Sequence, residues 1–134
     1  MTDCPCGSNK AFADCCEPYL TLQEKPKSVR QLVRARYCAY ARGAGTHREF
    51  LIRSWHPATA RSISIADLTN DNYRWQGLEI VSAEQKGDFG RVEFKASYRE
   101  GDDGPLQIHH ERAVFHRIKG LWLYLEGDVQ DQEG

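Results

Sequence analysis

The spacing of hydrophobic and polar positions changes period once along the chain. From Val29 to Arg42 apolar residues recur at helical intervals. Val29, Leu32, Val33, Tyr37 and Tyr40 share one side of a wheel drawn at about 100° per residue. Ser28 is placed to cap this helix, and the run GAG at 43–45 stops it. The segment THREFLIRSW predicts a second helix, with an N-cap at Thr46 and an end before Pro57. Residues 58–72 are less regular, and SIADLTNDN suggests a short helical turn followed by a loop. Beyond that point the period becomes two. RWQGLEIVSAEQ, GRVEFKASYRE, LQIHHERAVFHRI and LWLYLEG read as strands, separated by the turn signals KGDF, GDDG and KG. Helices followed by successive hairpins predict an α+β fold, with helices packed on one face of a curved antiparallel sheet.

The N-terminal segment fits neither period. Residues 1–20 have no apolar face of their own, and TLQEKPKS at 21–28 reads as a polar linker. The expected organisation is therefore a knuckle over 1–20, a linker over 21–28 and an α+β domain over 29–134. Composition agrees with a globular chain: 40% hydrophobic, 28% charged, mean hydropathy −0.65 and no apolar run long enough to span a membrane. The start MTDCPCGSN has no apolar leader core, which points to a reducing, cytoplasmic setting. Charge is uneven although the net value is only −1. Residues 25–61 carry nine Lys or Arg against one Glu, while both flanks are acidic. That basic middle is either a solvated, internally paired surface or a footprint for an acidic partner or RNA, with Arg30, Arg34 and Arg42 as the basic face.

CPCGSNKAFADCC places four of the five cysteines in thirteen residues, with spacing C-x-C-x8-C-C. Zinc takes four tetrahedral thiolate or imidazole ligands, usually as two close pairs joined by a short loop. Cys4 and Cys6 form one pair, and Cys15 and Cys16 the other. Gly7 allows a sharp turn after the first pair, leaving backbone amides to point at the sulfurs. So short a segment cannot bury enough apolar surface to fold alone, so the ion would supply its folding free energy. Four thiolates leave no open position for water, so the site reads as structural or docking rather than catalytic. Zinc is the expected ion, and iron fits the same cage. Cys38 falls on the wheel opposite the apolar face, among Arg30, Arg34 and Arg42. It is expected to face solvent and not to be a ligand.

This segment resembles the SEC-C motif, with Asn9 where glycine is common. VRARYCAYA (33–41), SWHP (54–57), RWQGLEI (74–80), HERAVF (110–115) and WLYLEGD (122–128) resemble the YchJ family of bacterial proteins. Val33 and Cys38 depart from that family's usual residues. The resemblance implies a cone-shaped fold similar to nuclear transport factor 2, with a cavity between helices and sheet. It implies no established reaction.

Within such a domain Arg36 stands out, because it lies in the middle of the apolar helix face. A buried guanidinium must be compensated. Either Glu111 or Glu93 pairs with it, or it lines the cavity and meets an anionic ligand. Along LQIHHERAVF, Leu106, Ile108, His110, Arg112 and Val114 share one face, and Gln107, His109, Glu111, Ala113 and Phe115 the other. The candidate cavity set is Arg36, Tyr37, Tyr40, Trp55, His56, Trp75, His110, Glu111 and Arg112. His56 is the candidate acid or base, or else a helix-end cap. Adjacent histidines point to opposite faces, which argues against a second metal site at His109, His110 and His116. Three functions follow: a metal-binding adaptor docking on a protein or ribosomal surface, a ligand-binding or enzymatic cavity, and RNA binding through the basic helix. With no nucleophile elbow, phosphate loop or dinucleotide fingerprint in the sequence, and so no catalytic residue to assign, the adaptor is the leading expectation.

Overall fold

The computed structural model describes residues 3–43, 46–57 and 73–130. A 3₁₀ turn at Phe12–Asp14 and the short helix α1 (Glu17–Leu20) close the N-terminal segment. Helices α2 (Val29–Gly43) and α3 (Arg48–Arg53) follow, then strands β1 (Tyr73–Lys86), β2 (Phe89–Glu100), β3 (Leu106–Ile118) and β4 (Leu121–Gln130). The strands pair antiparallel in the order β1-β2-β3-β4, as the run of hairpin signals predicts. The β3–β4 turn shows why so few residues suffice. Lys119 and Gly120 both take positive φ (52° and 80°), the backbone that matches the right-handed twist of the flanking strands. Register shifts between Trp75 and Gly77, between Ile80 and Ser82, and between Val114 and Phe115 mark bulges. Bulges bend the strands that carry them, which curves the sheet around α2.

Helix α2 begins as its sequence suggests. The Ser28 hydroxyl accepts from the Gln31 amide at 3.1 Å, and the Gln31 side chain reaches back to the Lys27 amide at 2.8 Å. Ser28→Ala is expected to cost about 1 kcal/mol, measurable by urea unfolding, whereas an unchanged midpoint would mean that the cap contributes nothing. The second helix is shorter than the sequence implies. It starts at Arg48 with His47, not Thr46, in the cap position and no side-chain cap bond. The His47 amide instead bonds the Gly43 carbonyl at 3.2 Å. The short helical turn expected within 58–72 lies outside the described residues.

The core sits between α2, α3 and the inner face of the sheet. Leu32 and Leu51 are fully buried, and Val29, Val92 and Phe115 are nearly so. Gly90 leaves room for Val29, whose methyl groups occupy the place a Cβ would need. The segment after α3 bonds to β4: Ser54 accepts from the Tyr124 amide, and the His56 amide donates to the Tyr124 carbonyl, both at 2.7 Å. The N-terminal segment joins the same core, through Cys4, Cys6, Phe12, Cys16 and Leu20.

Candidate functional site

Two groups of side chains lie on opposite sides of α2. The first is the cysteine cluster. Gly7 (φ 84°) and Asn9 (φ 67°) take left-handed backbone and fold the loop back, and the Cys4 amide bonds the Lys10 carbonyl at 2.8 Å. The sulfurs of Cys4, Cys6, Cys15 and Cys16 all lie within 4.8 Å of one another. Cys6 and Cys15 are 3.6 Å apart, and Cys15 and Cys16 are 3.9 Å apart. A tetrahedral ion with metal–sulfur bonds of about 2.3 Å needs sulfur–sulfur edges of about 3.8 Å, so this arrangement can hold a metal ion. Three of the four residues are buried and Cys15 is half-buried. The Gly7 amide is engaged with the Cys4 carbonyl at 3.2 Å, so the polar partner on the sulfurs is instead the Ser8 hydroxyl, 3.1 Å from Cys15 Sγ.

Cys38 is not on an exposed face. It is fully buried, with its sulfur 3.4 Å from that of Cys4. The wheel assigns it correctly to the side of α2 away from the sheet, but that side is covered by the knuckle. The neighbouring Cys16 and Cys38 thiols lower the pKa of Cys6. The basic face is affected by the same packing. The Arg42 guanidinium lies 4.4 Å from the centre of the Phe12 ring; Arg34 is half-buried, and Arg30 and Arg42 are exposed.

The second group lines a cavity of about 420 Å³ between α2 and the sheet. Arg36, Tyr37, Tyr40, Trp55, Trp75 and Glu111 are in its wall, together with Tyr73, Phe94, Tyr98, His109 and Tyr124. His56, His110 and Arg112 are not in it. His110 and Arg112 lie on the outer face of β3, where Glu93 meets both: His110 Nε2 at 2.6 Å and Arg112 Nε at 3.6 Å. His56 stacks on His116, ring centres 5.8 Å apart. The inward histidine is His109. The cross-strand pairs Phe94 with Glu111 and Ala96 with His109 place both on the face that carries the apolar side chains of β2. That pairing was the available signal, because the β2–β3 turn sets which residues of β3 lie opposite Val92, Phe94 and Ala96.

Among the described residues no carboxylate holds Arg36. Its guanidinium donates to the Leu51 carbonyl at 3.0 Å and to the Ser54 hydroxyl at 2.6 Å. It lies between the Trp55 and Tyr124 rings, 4.6 and 5.0 Å from their centres. Glu93 is on the other side of the sheet, and Glu111 acts on Arg36 through space. Burial lowers the Arg36 pKa. Glu111 spends its two oxygens elsewhere, one on His109 Nε2 and one on the Tyr124 hydroxyl, each at 2.7 Å. Burial works against its charge, but these two partners outweigh it and hold the carboxyl below its ordinary value. Burial also pushes the Tyr37 hydroxyl up to about 12.

Residues 28–127 match the family model described as YchJ, middle NTF2-like domain, and residues 3–18 match the SEC-C motif. The UPF0225 protein of Serratia proteamaculans is 36% identical over 92% of this chain and 81% of its own length. That of Deinococcus radiodurans is 39% identical over 92% and 86%. The solution structure of a SEC-C motif containing protein from Rhodopseudomonas palustris superposes with a TM-score of 0.82. It is 30% identical and covers 97% of this chain and 100% of that one. The crystal structure of a SEC-C motif containing protein from Psychrobacter arcticus gives 0.78 at 26% identity, covering 98% and 84%. No helix among the described residues is long and apolar enough to cross a membrane.

Proposed function

The chain belongs to the YchJ family, and on that footing we propose that it is a zinc-binding adaptor. Cys4, Cys6, Cys15 and Cys16 hold one ion, and the knuckle they close docks on a protein or ribosomal partner. The observation that carries this reading is the set of four sulfurs within 4.8 Å of one another on a loop that two left-handed residues fold back. Four soft donors suit zinc, and with the tetrahedron complete the ion organises the chain and leaves no position for a substrate. Cys38 contributes from α2 as a neighbour of the Cys4 sulfur, which ties the ion's surroundings to the larger domain. The exposed rim of the knuckle, including Gly7, Asn9, Lys10, Ala13 and Asp14, is the surface offered to a partner.

Elemental mass spectrometry of anaerobically purified protein tests the ion. About one zinc per chain is expected, retained in Cys38→Ser and lost in Cys15→Ser. About one iron would keep the cage and overturn the metal assignment, and equal loss in Cys38→Ser would overturn the ligand set. Co-sedimentation with ribosomes, comparing metal-loaded with chelated protein, then tests one partner class. A basic-helix RNA reading has less support, because Arg34 is half-buried and only Arg30 and Arg42 of the three are exposed.

A further inference from the structure

The cavity on the other side of α2 has a composition that metal binding does not use. Its walls are rings set against one another. Tyr73 and Tyr98 meet edge to face at 5.0 Å, Trp75 and Tyr98 at 5.2 Å, and Tyr37 stands edge-on to Trp75 at 6.0 Å. Its volume lies within the range of small-molecule sites. Flat, polarizable walls favour a flat, conjugated occupant, because rings gain most from stacked and edge-to-face contact.

Polar groups converge at one end. Glu111 is nearly enclosed, and each of its oxygens already accepts a hydrogen bond within the wall. What it does is fix its neighbour. A carboxylate accepting from Nε2–H sets the tautomer of a neutral His109 ring, in which Nδ1 is an acceptor. The His109 side chain is about one-third exposed, whereas that of Glu111 is 9% exposed, so the imidazole is reachable and its support is not. Charge decides the remainder of the specificity. The Arg36 guanidinium and the Glu111 carboxylate offset each other within the same wall, so the lining offers no net charge to attract an ion.

We propose that this cavity binds a neutral, flat, conjugated small molecule bearing one weakly acidic hydroxyl, a phenol or enol, with His109 accepting the hydroxyl hydrogen bond. Glu111 is a positioning residue: it holds the imidazole, and the Tyr124 hydroxyl holds Glu111 in turn. The proposal is independent of the metal reading, because it uses the opposite side of α2 and none of the cysteines.

The test uses the full chain and three probes: 2-naphthol, its methyl ether 2-methoxynaphthalene, and the anion 2-naphthoate. Binding is followed by isothermal titration calorimetry and by shifts of the tryptophan indole N–H signals in two-dimensional NMR. Saturable binding of 2-naphthol is expected, about tenfold tighter than the ether, the usual scale of one buried hydrogen bond. His109→Gln is expected to bring naphthol and ether to within about twofold of each other while ether binding holds. Naphthol and ether binding equally to the unmodified protein would overturn the assignment without reference to any variant, as would no saturable binding up to the solubility limit. Naphthoate binding at least as tightly as naphthol would overturn the neutral ligand class and transfer the recognition to Arg36.

Discussion

Cys16→Ser is expected to empty the metal centre and to lower the stability of the whole chain, not of its first twenty residues alone. Cys16 is 1% exposed, the most enclosed of the four clustered thiols. A serine hydroxyl does not ionise at neutral pH and is a poor ligand for a soft cage. Structural zinc sites contribute on the order of 10–16 kcal/mol of apparent binding free energy, and losing one of four ligands forfeits much of it. The loss reaches the larger domain because the knuckle covers α2: Cys38 is buried against Cys4, and Phe12 lies under Arg42. Metal content below about 0.2 per chain and a stability loss of roughly 3 kcal/mol or more are expected. Elemental analysis and denaturant unfolding followed by tryptophan fluorescence check both. Loss of metal with an unchanged unfolding midpoint would show that the knuckle contributes nothing to the sheet. Full metal content would remove Cys16 from the ligand set.

Gly127→Ala is expected to be the most damaging small substitution in the sheet. Gly127 lies opposite Ala113, and a Cβ there would run into the Glu111 carboxylate and the Tyr124 hydroxyl. Those groups form the 2.7 Å hydrogen bond that helps keep a buried carboxylate charged. Separating them leaves Glu111 with one donor fewer, and a cost of about 2–4 kcal/mol follows from overpacking and lost solvation together. The pH dependence has a definite sign. Glu111 has its pKa depressed below 4.5 in the folded protein, so its stabilising contribution is present above that value and is lost as pH falls through the folded pKa. The variant has less of that contribution. Its deficit against the unmodified protein is therefore widest near neutral pH and narrows in acid. Urea unfolding at pH 7 and at pH 3 measures both limits. Equal stability at pH 7, or a deficit that widens in acid, would show that the Tyr124 hydrogen bond is not what holds Glu111.

The hairpins were legible because two independent signals agree there. Alternation marks each strand, and Gly87 and the Lys119–Gly120 pair mark turns whose positive φ few other residues accept. The first helix was legible for a similar reason, its apolar side and its Ser28 cap falling in phase. What alternation cannot say is which face of a strand points inward when both faces carry polar groups. On β3, Leu106, Ile108 and Val114 oppose Ala113 and Phe115, and the more apolar count is on the outer face. The expected cavity set drew on both faces, with His110 and Arg112 from one and Glu111 from the other, and it left out His109. The pairing with β2 resolves the question, because the inner residues of β2 are Val92, Phe94 and Ala96. Cys38 failed to be legible for a different reason. A helical wheel reports which residues share a side, and α2 has covers on two sides, one of them a thiol cluster that no apolar pattern announces. Arg36 was recognised as buried, but its partners among the described residues include a carbonyl, a hydroxyl and two rings, none of which a search for opposite charge would find.

The two covers of α2 also differ in when they come to exist. The ribosome releases a chain from its N-terminus, so the partner of Cys38, thirty-four residues earlier, is already made when α2 emerges. The partners of Val33 and Tyr37 lie on strands that begin at Tyr73 and are still unwritten. One side of the helix can therefore close over short loops, while the other must wait for the sheet with its apolar stripe bare. A chain supplied with metal as it is made meets that interval with its first helix already anchored.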